Sequence, residues 1–156
     1  MKILISLLVL MVTANDCSQK QKEEKMTQQE VTKELGQDIK SISYEAASRG
    51  YFYSVSMSAA TGELNVREAR EGKAQSISLT DQQQKEIFKA ANDIDIKNIA
   101  QLEAPSTAHQ YDGAPGASLK ITTKEGSFTS ATFDDGNPPN ELKTLVSKLM
   151  TIADRK

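Results

Sequence analysis

The sequence of 156 residues contains no tryptophan, one histidine and one cysteine, and its aromatic residues are four tyrosines and four phenylalanines. A surface that stacks bases needs several aromatic side chains, and this sequence has few to offer. The formal net charge is −2, whereas nucleic-acid binding requires a basic patch that replaces phosphate counterions. We therefore expect no nucleic-acid partner.

The same scarcity argues against bound cofactors. One histidine and one cysteine are too few for a zinc site of the usual Cys and His ligands. The sequence has no glycine-rich loop of the kind that cradles phosphates. The lone cysteine, Cys17, excludes an intramolecular disulfide. We expect no cofactor.

The chain begins with Met1-Lys2 and a run from residue 3 to residue 12 that is apolar except for Ser6. This run is much shorter than the roughly 20 residues that a transmembrane helix needs. A positive charge followed by a short apolar run is typical of a secretory signal. We predict a signal peptide over residues 1–16, and hence export, with no transmembrane helix in the mature protein.

Cys17 directly follows this leader and precedes a polar stretch in which Met26 is the only apolar residue up to residue 30. A cysteine in this position resembles the bacterial lipoprotein signal, in which the cysteine becomes the acylated N-terminus. The resemblance implies lipidation of Cys17, a membrane contact through that lipid, and a flexible tether over residues 17–30. Position 14 is alanine and position 16 is aspartate, and ordinary cleavage after Ala14, which yields a secreted soluble protein, stays open.

The remaining residues, 31–156, are predicted to form one α+β domain. Val31, Leu35 and Ile39 have the spacing of a short helix. From Ile42 the apolar residues alternate through several segments that are separated by turns near Gly50, Gly62 and Gly72, which predicts a strand meander.

A helix is predicted to begin at Thr80, where Gln83 completes a capping box. A hairpin follows, with strands at 117–122 and 128–133 around Glu125-Gly126. The last helix is predicted to begin at Asn137-Pro138. Each helix has one apolar face, and these faces comprise Ile87, Phe88, Ala91 and Ile94 in the first and Leu142, Leu145, Val146, Leu149 and Ile152 in the second. We expect an antiparallel sheet of about five to six strands with both helices on one face.

The connection over residues 105–116 is the first candidate site, because long loops in compact domains are often functional. It contains the only histidine, His109, together with Tyr111 and Asp112, and we predict these three residues to be binding residues. Ser106, His109 and Asp112 could also be interpreted as a hydrolase's Ser/His/Asp set. The strand-to-helix elbow that exposes such a nucleophile is absent from this loop.

Asp134 and Asp135 precede Gly136 and resemble the start of a calcium loop, but no glutamate stands at the spacing that completes it. They fit equally an acidic turn before a helix N-terminus. We expect no metal, with these two aspartates as the weak candidates.

Three segments resemble the emfourin type of protease-inhibitor domain over about residues 42–150. They are Ser48-Arg49-Gly50-Tyr51-Phe52, then Asp112 ahead of Ala117-Ser118-Leu119-Lys120-Ile121, and finally Pro138-Pro139 with Leu142 and Leu145. This resemblance implies an inhibitor of a metalloprotease. The chain also resembles small, uncharacterised lipoproteins of Gram-negative envelopes.

The sequence therefore favours a non-catalytic module that binds an envelope protein or peptide. We expect it at the outer membrane, facing the periplasm or the cell surface. A metalloprotease inhibitor is the alternative, and a hydrolase that uses the His109 loop is the third hypothesis.

Overall fold

The computed structural model describes residues 38–154. The predicted leader, Cys17, the predicted tether and the first seven residues of the predicted domain lie outside the described residues.

Seven strands form one antiparallel sheet. The first four strands make the predicted meander, and β5 returns beside β1, so that the order across the sheet is β4-β3-β2-β1-β5-β6. The short β7 also pairs with β5. The strand bounds are β1 Ile39–Ser48, β2 Tyr51–Ser58, β3 Glu63–Arg67, β4 Gln75–Ser78, β5 Gly116–Thr123, β6 Ser127–Thr129 and β7 Phe133–Asp134.

Residues 38–154 contain two α-helices, α1 at Asp81–Asn92 and α2 at Asn140–Ile152, with short 3₁₀ helices at Ile99–Gln101 and Ala108–Tyr111. The apolar residues of both helices pack into one cluster with the inward residues of the sheet. Both helices therefore cover the same face, and the predicted α+β class is confirmed. Neither helix of residues 38–154 is long and apolar enough to cross a membrane.

The core follows the predicted periodicities. Ile42, Tyr44 and Ala46 of β1 are buried, and Tyr53, Val55 and Met57 of β2 lie on the same inner face. The helix stripes are buried as well, apart from Ile152, which is half-buried. Polar residues alternate with these positions on the outer face, which is the usual arrangement for an antiparallel sheet covered on one side.

The capping box at the start of α1 is confirmed. The Thr80 hydroxyl accepts a hydrogen bond from the Gln83 amide at 3.2 Å, and the Gln83 side chain accepts one from the Thr80 amide at 2.9 Å. These reciprocal bonds satisfy two amides that the first helical turn leaves without partners.

The helix predicted through Val31, Leu35 and Ile39 does not reach Ile39, which is the first residue of β1. The register of β1 against β5 shifts between Ile39 and Ser41. This bulge turns both Ile39 and Ile42 inward, where they are buried. Ile39 therefore belongs to a strand with a bulge, while Val31 and Leu35 lie outside the described residues.

The predicted returning strand 128–133 is divided into β6 and β7. Between them the Ser130 hydroxyl, in place of a backbone carbonyl, accepts a hydrogen bond from the Leu119 amide at 3.1 Å, and it donates one to the Ala131 carbonyl at 2.8 Å. This side-chain substitution interrupts the backbone ladder, so the chain leaves the sheet and rejoins it at Phe133.

The predicted start of the last helix, with Asn137 as N-cap and Pro138 as the first helical residue, is wrong by two residues. The helix begins at Asn140, after Pro139 in an extended conformation with ψ 149°. A residue that precedes proline is disfavoured in the helical region, so Pro138 cannot begin a helix before Pro139. The Asn137 side chain is instead directed to Ser106.

The strand register places the candidate loop at one end of the sheet, which we call the distal end. Ser48 pairs with Tyr51 there, and Gly116 pairs with Asp134. At the opposite, proximal end Ile39 pairs with Thr123. Asp38 lies at this proximal end and forms an ion pair with Lys124 at 2.6 Å. Any segment that precedes Asp38 therefore joins the described residues at the end remote from the loop.

Leu145 is fully buried on α2, so Leu145→Ala should lower the free energy of unfolding by about 2–5 kcal/mol. Thr144→Ala changes an exposed neighbour on the same helix and should stay within about 0.5 kcal/mol of the wild type. Chemical denaturation of the wild type and both variants measures the difference. Equal unfolding free energies in all three proteins would contradict the packing of α2 on the sheet.

Candidate functional site

The loop 105–116 is held by one carboxylate, that of Asp134. Its Oδ2 accepts hydrogen bonds from the Ser106 hydroxyl at 2.5 Å and the Ala108 amide at 2.9 Å. Its Oδ1 accepts one from the His109 amide at 2.7 Å and lies 2.6 Å from His109 Nδ1. Both oxygens are therefore occupied by donors from the loop, although Asp134 is separated from the loop by a whole strand pair.

Asp134 comes from β7 and is almost completely buried, at 5% exposure. The hydrogen bond from Ser106 holds the pKa of Asp134 well below its usual range, and the bonds from His109 and Ala108 lower it further. Burial opposes these effects, because removal from water disfavours the charged form. The hydrogen bonds outweigh the effect of burial on the pKa of Asp134, so its carboxylate is ionised and weakly basic at neutral pH.

The ionised partner determines the orientation of His109. A carboxylate only accepts hydrogen bonds, so Nδ1 carries the proton that faces Asp134 and Nε2 is left with a lone pair in the neutral ring. The His109 side chain is 13% exposed. Asp134 therefore orients an imidazole that can accept a hydrogen bond from an approaching group through Nε2.

The hydroxyl of Ser106 is paired with Asp134 and Asn137. It donates to Asp134 and accepts a hydrogen bond from Asn137 Nδ2 at 2.7 Å. In a nucleophile–base pair the hydroxyl would be directed to the histidine. Here the serine and the histidine are directed to the same carboxylate, and the low pKa of that carboxylate makes it a poor proton acceptor. These bonds attach the loop to β7 and do not form a nucleophile–base pair.

Asp112, the third residue of the predicted binding set, lies beyond the 3₁₀ helix in the left-handed conformation with φ 57°. It is exposed, and the acidic partner of His109 is Asp134. Asp112 therefore shapes the end of the 3₁₀ helix, whose closing turn is completed by the hydrogen bond from the Gly113 amide to the Ala108 carbonyl.

Tyr111 projects from this fastened loop into solvent with 81% of its surface exposed, the one large hydrophobic side chain so exposed among residues 38–154. An aromatic ring in this position gains nothing from the core. Asp134 holds the nearby His109 through both its backbone amide and its side chain. The exposed ring of Tyr111 is therefore attached to a backbone segment that is fixed to the sheet.

Asp135 points its carboxylate in another direction. It accepts hydrogen bonds from the hydroxyls of Tyr44 at 2.5 Å and Tyr51 at 3.2 Å. Tyr44 is fully buried in the core, and a buried tyrosine hydroxyl requires such a partner. The Asp135 amide also donates to the Pro115 carbonyl at 2.9 Å, which ties the end of the loop to the turn after β7.

Asp134 and Asp135, the weak metal candidates, thus both bond to protein donors. No group of three or more His, Cys, Asp or Glu side chains within residues 38–154 is arranged to hold a metal ion. A separate cleft of about 320 Å³ lies between α1 and α2, where Lys148 and Glu86 form an ion pair across its lining at 2.9 Å. It is remote from the loop in sequence and carries no catalytic set.

The sequence pattern pointed to the loop, His109 and Tyr111 as candidates, and it did not indicate that Asp134 bonds to Ser106, Ala108 and His109. The separation of 25 to 28 residues between Asp134 and its partners removes any local pattern. The one signal in the sequence was the pair Asp134-Asp135 at the end of the returning strand. The sequence pattern assigned this pair to the turn before the last helix, whereas the structure pairs Asp134 with Gly116 at the end of the loop.

Comparison with protein-family models, with curated proteins and with solved structures finds no match to this chain.

Asp134→Asn replaces one acceptor oxygen by an amino group that would face loop donors, so it should loosen the loop. The amides of Ala108 and His109 should exchange with solvent faster in the variant, as measured by hydrogen exchange. The wild type should also have the higher melting temperature at pH 7.

Because the folded-state pKa of Asp134 is lowered, its stabilisation is present above the unfolded pKa of about 4 and is lost as pH falls. The difference in melting temperature between wild type and Asp134→Asn should therefore shrink below about pH 4. Asp112→Asn, the same chemical change at an exposed site, is the matched control. Equal loop exchange in both variants would show that Asp134 does not hold the loop.

Proposed function

We propose that the chain is an exported, lipid-anchored module that binds a protein or peptide of the cell envelope through the loop 105–116. The observation that supports the binding role is the 81% exposure of Tyr111 on a loop that Asp134 holds through Ala108 and His109. Rigid loops that present tyrosine are efficient binding surfaces, since the ring offers a large contact area at a small loss of conformational entropy.

The chemistry of the loop supports binding over catalysis. Ser106 donates to an ionised, weakly basic carboxylate. In the neutral ring His109 Nε2 offers one acceptor, two residues before Tyr111 on the same 3₁₀ helix, which suits a backbone amide or a side-chain donor of a bound peptide. A partner of this kind would bury the ring at the centre of the contact and meet the imidazole at its edge.

The position of Asp38 supports the anchored arrangement. It lies at the proximal end of the sheet, while the loop lies at the distal end. A chain anchored through Cys17 and joined at Asp38 would leave the loop on the side of the domain that is remote from the attachment point. The membrane contact is then made by the lipid and the partner contact by the loop.

Tyr111→Ala should weaken partner binding by about 2 kcal/mol, or about thirtyfold, as truncation of an interface tyrosine does. The melting temperature should be unchanged because the side chain is exposed. Affinity capture from envelope extract with the tagged protein identifies the partner, and titration with the purified partner measures the affinity. Gln110→Ala, an exposed neighbour on the same 3₁₀ helix, should bind as the wild type does.

A partner captured equally by wild type and Tyr111→Ala would refute the loop as the binding surface. Unfolding of Tyr111→Ala would show that the ring supports the fold. If the captured partner is a metalloprotease that the protein inhibits, the binding role becomes that of an inhibitor. A hydrolytic activity lost in His109→Ala would replace the binding role by catalysis.

Cys17→Ser should move the protein from the detergent phase to the aqueous phase in a phase-partition assay. The wild type should incorporate labelled fatty acid, and the variant should not, because the thiol that receives the lipid is gone. A wild-type protein in the aqueous phase with Asn15 as its mature N-terminus would indicate cleavage after Ala14 and a soluble secreted form.

A further inference from the structure

The outer face of the sheet carries one large aromatic side chain that the core does not explain. Phe52 pairs with Ala47 and points away from the inner residues Tyr53 and Val55. It is only 8% exposed, yet it does not belong to the buried core cluster. Since both helices lie on the other face, something on the outer face must cover this ring.

Two arginines cover it. The guanidinium carbon of Arg67, from the end of β3, lies over the Phe52 ring at 5.5 Å from the centroid. The guanidinium carbon of Arg70, from the connection after β3, lies over the same ring at 5.1 Å. Stacking on an aromatic face attracts a guanidinium electrostatically and restricts its orientation.

Neither arginine has a carboxylate partner within the part of the chain that the structure describes. The ion pairs there are His109–Asp134, Lys124–Asp38 and Lys148–Glu86, and neither guanidinium donates a hydrogen bond to these residues. Glu45 lies on the same outer face, two strands from Arg67, and forms no ion pair with it. Arg67 is half-buried and Arg70 is exposed, so two positive charges lie at one ring without an ion-pair partner among residues 38–154.

We propose that Arg67 and Arg70 form a binding site for an oxyanion group, a carboxylate or a phosphate, with Phe52 as the residue that positions them. Each guanidinium presents planar N–H donors that match two oxygens of such a group, and a charge-assisted bond of this kind is stronger than a neutral one. An anion between or beside the two arginines also relieves their mutual repulsion. Ser54, the strand partner of Arg67 on the outer face, is a small residue.

The location relates this site to the distal end. Arg67 is the last residue of β3 and Phe52 is the second residue of β2, so the arginines lie at the same end of the sheet as the loop 105–116 and opposite Asp38. The site uses no residue of that loop. Tyr111→Ala should leave oxyanion binding unchanged, which separates this proposal from the function of the loop.

Inorganic phosphate is the first probe, titrated into the full-length protein at constant ionic strength. The side-chain N–H resonances of Arg67 and Arg70 should shift with saturation in the NMR spectrum, and phosphate should raise the melting temperature. Arg67→Gln and Arg70→Gln should each weaken phosphate binding about tenfold or more, the loss expected from one charge-assisted contact.

Arg49→Gln is the matched control. Arg49 is an exposed arginine in the turn between β1 and β2, at the same end of the sheet, so its removal changes the charge equally. Arg49→Gln should retain phosphate binding. Shifts that do not saturate, or an equal loss in Arg49→Gln, would show general charge screening and would overturn the site.

A second arm uses vesicles of phosphatidylglycerol with phosphatidylcholine vesicles as the control, and a third uses citrate. Binding of phosphate or citrate that depends on both arginines assigns the site to a soluble oxyanion. Binding of anionic vesicles alone, with the same dependence on both arginines, assigns the oxyanion to a lipid headgroup. Absence of arginine-dependent binding in all three arms refutes the proposal.

Discussion

The distal end of this domain depends on the ionised carboxylate of Asp134 and the four donors that surround it. A buried charge is costly unless it is fully hydrogen-bonded, and here every donor comes from the loop 105–116. The cost of burying Asp134 and the order of the loop are therefore linked. If the loop opens, the carboxylate loses its partners, and if the carboxylate is removed, the loop loses its anchor.

The turn that carries Asp134 joins the loop to the core through the next residue. Asp135 accepts from Tyr44, which is buried among the apolar residues of β1, and from Tyr51 at the start of β2. Two adjacent carboxylates thus serve two different partners, one in the loop and one in the sheet. The exposed Tyr111 belongs to the loop that this double attachment holds.

The outer face of the sheet presents a different principle. Phe52 is covered by Arg67 and Arg70. On this face two charged side chains shield an apolar ring from water, whereas on the inner face the helices shield the apolar residues. The guanidinium groups themselves lie over the ring, where the negative aromatic face attracts them. The distal end thus combines an apolar ring that is exposed, Tyr111, with a ring that two cations cover, and the two features are independent in sequence and in structure.

The sequence by itself determined the elements whose signal is local. The alternation of β1 and β2, the capping box of Thr80 and Gln83 and the stripe that contains Leu145 each need only a few neighbouring residues, because period and capping are properties of a single element. It also identified the loop and the exposed Tyr111 as notable. Two boundaries were wrong: the Ser130 hydroxyl takes the Leu119 amide within the returning strand, and Pro139 keeps Pro138 out of the last helix.

Only the tertiary structure decided which residues meet. Asp134 reaches His109 across 25 residues and Asp135 reaches Tyr44 across 91, and the two arginines meet on Phe52 because β2 and β3 are neighbours in the sheet. Such contacts depend on strand order and register, which are determined by the burial of the whole inner face and not by any short pattern. For this reason the sequence could identify the fold class and the loop, while the carboxylate that holds the loop and the cation pair on the outer face emerged from the packed sheet alone.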